Sequence, residues 1–145
     1  MIVAAELQMQ GNKHVGVNSS MLKILDKSTS EGITVYCDEF HRESLEKNFI
    51  FSHVNWNTFR YTKERELKKI NIPFKVIREV FLALSIFRFA KKNKAEVIFF
   101  FSSYPFTQFF LNLLAIVFQQ KIILCQHGDL GVLSLQHPKV LSKVF

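Results

Sequence analysis

Cysteine is nearly absent, with only Cys37 and Cys125 among 145 residues. Each sits in an apolar run, without a CxxC spacing or a histidine set, so neither a disulfide framework nor a zinc site is indicated. Two buried thiols in a reducing compartment are the expectation. Glycine and proline are also scarce, at 5 and 3, which excludes collagen-like, linker-dominated and disordered chains. The opening MIVAAEL lacks a basic segment, and its apolar run is shorter than a signal core, so export is not expected. No dinucleotide fingerprint, P-loop, serine-hydrolase elbow or HExxH motif occurs, and those enzyme classes drop out.

What the chain does contain is apolar bulk: 48% hydrophobic residues, including 16 Phe. Its length suits one domain, residues 1–145, large enough to bury a real core. Nineteen Lys and Arg against twelve Asp and Glu leave a charge of +7. That favours anionic partners: nucleic acid, acidic lipid headgroups or phosphorylated small molecules.

Along the chain, strands and helices alternate. Ile2 to Leu7 reads as a strand, followed by the polar QMQGNKHVGVNSS and a helix-like MLKILDK that Ser19 or Ser20 would cap. ITVYC after Gly32 is a second strand, DEFHRESLEK an exposed short helix, and Asn48 to Trp56 a third strand. Pro73 opens a long helix through FKVIREVFLALSIFRFAKKN, with Lys91, Lys92 and Lys94 at its C-terminal end, where the dipole favours cations. VIFFF, a helix from Tyr104 to Phe118, and KIILC follow. Residues Val97 to Gln120 carry no charge and approach the roughly 20 residues of a spanning helix. The break at Ser102, Ser103, Tyr104 and Pro105 reads better as strand, turn and helix. The pattern predicts an α/β Rossmann-like fold: an open parallel sheet of about five strands, order 3-2-1-4-5, with helices on both faces.

Ligands in such sheets gather at the carboxyl ends of the strands, where chain order reverses. Three loops meet there: QMQGNKHVGVNSS, SSYPFT and QHGDLG. In the first, Gly11 and Gly16 bracket Lys13 and His14; it is either a ligand loop or a turn into the first helix. In the second, Ser103 offers a hydroxyl that helix capping also explains. In the third, His127 has the chemistry to take a proton from an attacking hydroxyl, Gly128 permits close approach, and Asp129 orients the imidazole or meets a hydroxyl. A turn with Asp129 as a cap explains the same three residues equally well. His41 in a charged helix, His53 in a strand and His137 before proline read as structural or solvated. No pair has metal-ligand spacing, so no metal is expected. The basic, aromatic FRYTKERELKK invites a nucleic-acid reading, but Glu64 and Glu66 interrupt it and a solvated face fits better.

Taken in order, the apolar first strand, QGNKHVGVNSSMLKIL, AEVIFFFSSYP and KIILCQHGDLGVL resemble the N-terminal, Rossmann-like half of a GT-B glycosyltransferase of the family 4 or group 1 type. The resemblance spans nearly the whole chain. It implies sugar transfer from a nucleotide-sugar donor to a carbohydrate or lipid-linked acceptor, as in cell-envelope polysaccharide biosynthesis. His127 matches the histidine such enzymes place near the reacting sugar, and Gly11 and Gly16 match the first-loop region. The chain departs from the family in lacking the first loop's Gly-Gly pair and the whole donor-binding domain with its paired carboxylates. It ends within an amphipathic pattern and reads as truncated, so the expectation is a chain inactive alone. No cofactor is expected, a nucleotide-sugar donor only with a separately encoded or following C-terminal domain. The expected setting is cytoplasmic, with room for contact at the inner face of an anionic membrane. Two rivals remain open: a non-catalytic Rossmann-like interaction module, and a small nucleotide- or nucleic-acid-binding protein.

Overall fold

The computed structural model describes residues 1–8, 14–59, 72–103 and 105–125. Five strands and four helices alternate: β1 Ile2–Glu6, α1 Val15–Ser28, β2 Ile33–Asp38, α2 Glu39–Asn48, β3 Val54–Phe59, α3 Ile72–Lys92, β4 Val97–Ser102, α4 Pro105–Phe118 and β5 Ile122–Leu124. The sheet order is β3-β2-β1-β4-β5 with every pairing parallel, the predicted order.

β1 is central, and its apolar residues serve both faces because a strand's side chains alternate. Val3, Ala5 and Leu7 join Ile98, Phe100, α3 and α4 in one core. Ala4 joins Ile33, Val35, Cys37, α1 and α2 in the other. Helices therefore cover both faces, as the continuous apolar β1 and β4 require. Phe87 and Phe100 are buried, with ring centroids 6.0 Å apart. Of the two thiols, Cys37 is buried and Cys125 half-buried, both free.

Two element boundaries differ from expectation. α1 begins at Val15, before the serines, and Ser19 and Ser20 donate back to the Gly16 carbonyl at 2.9 and 2.8 Å. They bond the preceding turn of the helix instead of capping its start. The third strand starts at Val54 and runs to Phe59, so the apolar NFIF is not part of it. Phe49 caps α2, Lys23 lies 3.6 Å over its ring, and Phe51 packs edge-on against Trp56 at 5.9 Å. Asp26 then accepts from the Ser52 and His53 amides, turning the chain into β3. Tertiary packing explains these aromatics, where periodicity alone suggested a ladder. Gly32, at φ +84, makes the turn into β2; a Cβ there would meet the His53 carbonyl at 3.3 Å.

The uncharged Val97–Gln120 stretch resolves into β4, a break and α4. Among the described residues no helix is long and apolar enough to cross a membrane.

Candidate functional site

β2 and β4 flank β1, and the chain reverses direction across the sheet between β1 and β4. The crevice at the carboxyl end of that pair is the site such a sheet provides for ligands. The pairing is irregular at that end: Ala5 lies opposite Phe100, but Glu6 lies opposite Ser102. A bulge of this kind re-aims side chains at a strand end.

Glu6, the last residue of β1, is fully buried. Its carboxylate gathers three elements. The Ser102 hydroxyl at the end of β4 donates to Oε1, and the Gln8 amide donates to the same oxygen at 3.1 Å. Asn18 of α1 donates through Nδ2 to Oε2 at 3.1 Å. Burial pushes the Glu6 carboxyl up to about 7, against the opposing effect of these donors, and the charge of Glu79, buried in α3, adds to the rise.

The network continues to α2. Asn18 Nδ2 lies 2.9 Å from His41 Nε2. With both amide hydrogens donated, one to Glu6 and one to His41, Nε2 is the acceptor and the imidazole proton sits on Nδ1. His41 is buried in the first turn of α2, positioned by the Asp38 side chain that caps the helix and accepts from the His41 amide at 3.0 Å. Glu6, Asn18, His41 and Ser102 thus tie together β1, α1, α2 and β4 beneath the crevice. A satisfied buried polar network of this kind holds the groups around it in place.

Above it lies the start of α1. His14 is its exposed N-cap residue, in the left-handed conformation at φ 56, and its side chain makes no capping bond. Gly16 is exposed, and a Cβ at that position would meet nothing within 4 Å. First-turn amides of a helix lack intrahelical partners, which suits a helix start to a phosphate or sugar hydroxyl. On the opposite side Ser103 follows β4, half-buried, beside exposed Pro105 and Phe106. Of the residues singled out from sequence, His14, Gly16 and Ser103 therefore stand at the carboxyl edge. Gly11, His127, Gly128 and Asp129 lie outside the described residues, as do residues 60–71, which hold most of the basic aromatic stretch.

Sequence reasoning missed Glu6, Asn18 and Ser102 as a unit; of the two readings of His41, structural or solvated, its burial in that unit favours the structural one. One signal was available: Glu6 is the only charged residue of β1 and ends the central strand. His53, by contrast, is exposed, its Nδ1 3.5 Å from Asp26. Among the described residues no three His, Cys, Asp or Glu are grouped as a metal site.

No family model and no curated protein matches the chain. Solved structures similar to it are GT-B glycosyltransferases. One is UGT73P12 of Glycyrrhiza uralensis, complexed with glycyrrhetinic acid 3-O-monoglucuronide, at TM-score 0.55 and 8% identity over 89% of this chain and 28% of that one. Another is MurG of Acinetobacter baumannii, at TM-score 0.50 and 15% identity over 85% of this chain and 33% of that one. The likeness is one of fold, and the chain spans about a third or less of each neighbour's length.

Proposed function

We propose that this chain is the acceptor-side half of a GT-B glycosyltransferase, acting in sugar transfer to a carbohydrate or lipid-linked acceptor of cell-envelope type. The observation that carries the reading is the β3-β2-β1-β4-β5 sheet, whose switch-point crevice is underpinned by Glu6, Asn18, His41 and Ser102. The fold likeness to glycosyltransferases supports it.

In this reading the acceptor lies over the crevice against Gly11, His14, Gly16, Ser103, Gly128 and Asp129. Its hydroxyl oxygen attacks the anomeric carbon of the donor sugar, the bond from that carbon to the nucleotide phosphate breaks, and the hydroxyl proton passes to His127. The departing phosphate needs electrostatic stabilisation, which a second Rossmann-like domain, continuous or separately encoded, supplies. The chain alone therefore transfers sugar poorly or not at all. The +7 charge suits a phosphate-linked lipid acceptor and an anionic membrane surface.

Calorimetric titration with soluble oligosaccharides, short-chain phospholipid-linked saccharides, nucleoside diphosphates and nucleotide sugars tests the reading. The expected result is binding of a saccharide acceptor without saturable nucleotide binding. Tight mononucleotide binding with no saccharide binding overturns it in favour of a small nucleotide-binding protein.

A further inference from the structure

Asn18 bridges two buried acceptors through a single atom. Its Nδ2 lies 3.1 Å from Glu6 Oε2 and 2.9 Å from His41 Nε2, and all three residues are buried. A carboxamide has a donor end and an acceptor end, so the end turned to this junction must suit both neighbours at once. With Glu6 ionised, Nδ2 donates to both and the His41 hydrogen sits on Nδ1.

A proton arriving at Glu6 has two oxygens to choose from. Oε1 accepts from the Gln8 amide at 3.1 Å and from the Ser102 hydroxyl. Protonation there would spoil the acceptor of a backbone donor that has no freedom to turn away. On Oε2 the proton leaves both of those bonds standing and meets Asn18, whose amide can turn over. Oδ1 then takes the place of Nδ2 and accepts from the Glu6 hydroxyl. It accepts from His41 as well once the imidazole hydrogen has moved from Nδ1 to Nε2.

We propose that Asn18 is a two-position switch that couples protonation of Glu6 to the tautomer of His41, reversing both hydrogen bonds at the junction. One proton is taken up from solvent, at Glu6; His41 stays neutral and changes only the nitrogen that carries its hydrogen. Each position satisfies both contacts, whereas a half-switched junction sets donor against donor or acceptor against acceptor in a buried site. Burial raises the Glu6 carboxyl to about 7, which puts both positions within the ordinary pH range.

Neighbouring elements set the charge around the junction. On β2, burial and the Asp38 charge push the Cys37 thiol up, so it stays protonated, while Asp38 caps α2. On α2, Glu39 and Arg42 are half-buried, Arg42 donating to Glu46 at 3.1 Å. On α3, Arg78 is half-buried and buried Glu79 disfavours an ionised Glu6. On α1, exposed His14 stands one turn before Asn18, and the charged residues begin at Lys23. β3, β4 and α4 carry no acidic or basic side chain. The switch reaches the crevice through Oε1, which holds Gln8 at the root of the first loop and Ser102 at the end of β4. A carboxylate is the stronger acceptor, so the proton that turns Asn18 also loosens both holds and makes the crevice edge responsive to pH.

Nitrogen and carbon magnetic resonance of the isotope-labelled full chain tests the switch, with His41 assigned through its own backbone. From mildly acidic to mildly alkaline pH the expected result is one shared midpoint. The Glu6 carboxyl carbon titrates, the hydrogen leaves His41 Nε2 for Nδ1, and the Gln8 amide proton moves downfield as Glu6 ionises. Glu6→Gln gives a second reading. Gln8 and Ser102 keep the side-chain oxygen, so the amide nitrogen faces Asn18 and His41 should stay the Nε2–H tautomer at every pH. A His41 tautomer that ignores the titration of Glu6 overturns the proposal, as does an imidazole that becomes doubly protonated at the shared midpoint. A folded Glu6→Gln protein with the hydrogen on Nδ1 also overturns it, and the parent titration decides the question even where the variant fails to fold. No saccharide is present, so failure of the switch and failure of acceptor binding are separately observed.

Discussion

Glu6 concentrates the chemistry of the crevice floor in one side chain. Its carboxyl is raised from the ordinary 4.5 to about 7 by burial, so between those values the folded state holds a proton that the unfolded chain releases. Stability from this group is therefore fully present below about pH 4.5 and is lost as pH rises through about 7. At about 1.4 kcal/mol per pH unit the loss amounts to about 3 kcal/mol. Glu6→Gln should remove it: urea denaturation at mildly acidic and mildly alkaline pH should give a smaller difference for the variant than for the parent. Equal differences would contradict the assignment. Asn18 is the second pivot, since its amide serves Glu6 and His41 together. Asn18→Leu leaves both acceptors without that donor in a buried setting and should cost about 2–3 kcal/mol by chemical denaturation. A cost near that of a surface substitution would show that the pair finds other donors. These roles were not legible in the sequence because each depends on long-range pairing. Glu6 and Ser102 are brought opposite one another by a bulge, and Asn18 and His41 meet across two helices.

At the level of elements, patterning carried most of the information. β2, β4, α3 and α4 lie where apolar runs, Pro73 and the Ser-Ser-Tyr-Pro break put them. The α1 start and the third strand were displaced, in both cases because short polar or aromatic segments answer to neighbours more than to their own period. Helix ends show the same influence. Lys94 and Gln119 occupy the left-handed position after α3 and α4, at φ 52 and 53, where glycine is ordinarily found. The Ala95 amide closes on Ala90 and the Gln120 amide on Ala115, both at 2.9 Å, so each end is a completed cap held by a residue with a Cβ. Gln119→Gly relieves the left-handed penalty of about 1 kcal/mol, offset in part by glycine's greater chain entropy. Thermal unfolding should show a modest rise in melting temperature; a fall would mean that the Gln119 side chain contributes more than its backbone costs.

For the whole molecule, the strand order follows from alternation of apolar strands with amphipathic helices and the right-handed crossover rule. The same order sets β1 beside β4 and so creates a crevice before any functional residue is considered. Function was less legible because it depends on what occupies that crevice, which a strand pattern does not specify. Packing on both faces of β1 and β4 also makes the sheet centre the least replaceable part of the core. Phe100→Ala should cost about 3–5 kcal/mol in denaturant titration, against a small effect from Phe109→Ala on the exposed side of α4. Similar costs would contradict the division between a buried sheet centre and an exposed helix face.

In the proposed function the switch-point crevice receives a saccharide acceptor. Amide chemical-shift mapping during titration with soluble oligosaccharide tests it most directly. Saturable shifts are predicted at Gly16, Asn18, Ser102 and Ser103, with the β3 edge unmoved. Shifts confined to β3, or no saturable shift with any saccharide while a nucleoside diphosphate perturbs the start of α1, would contradict it.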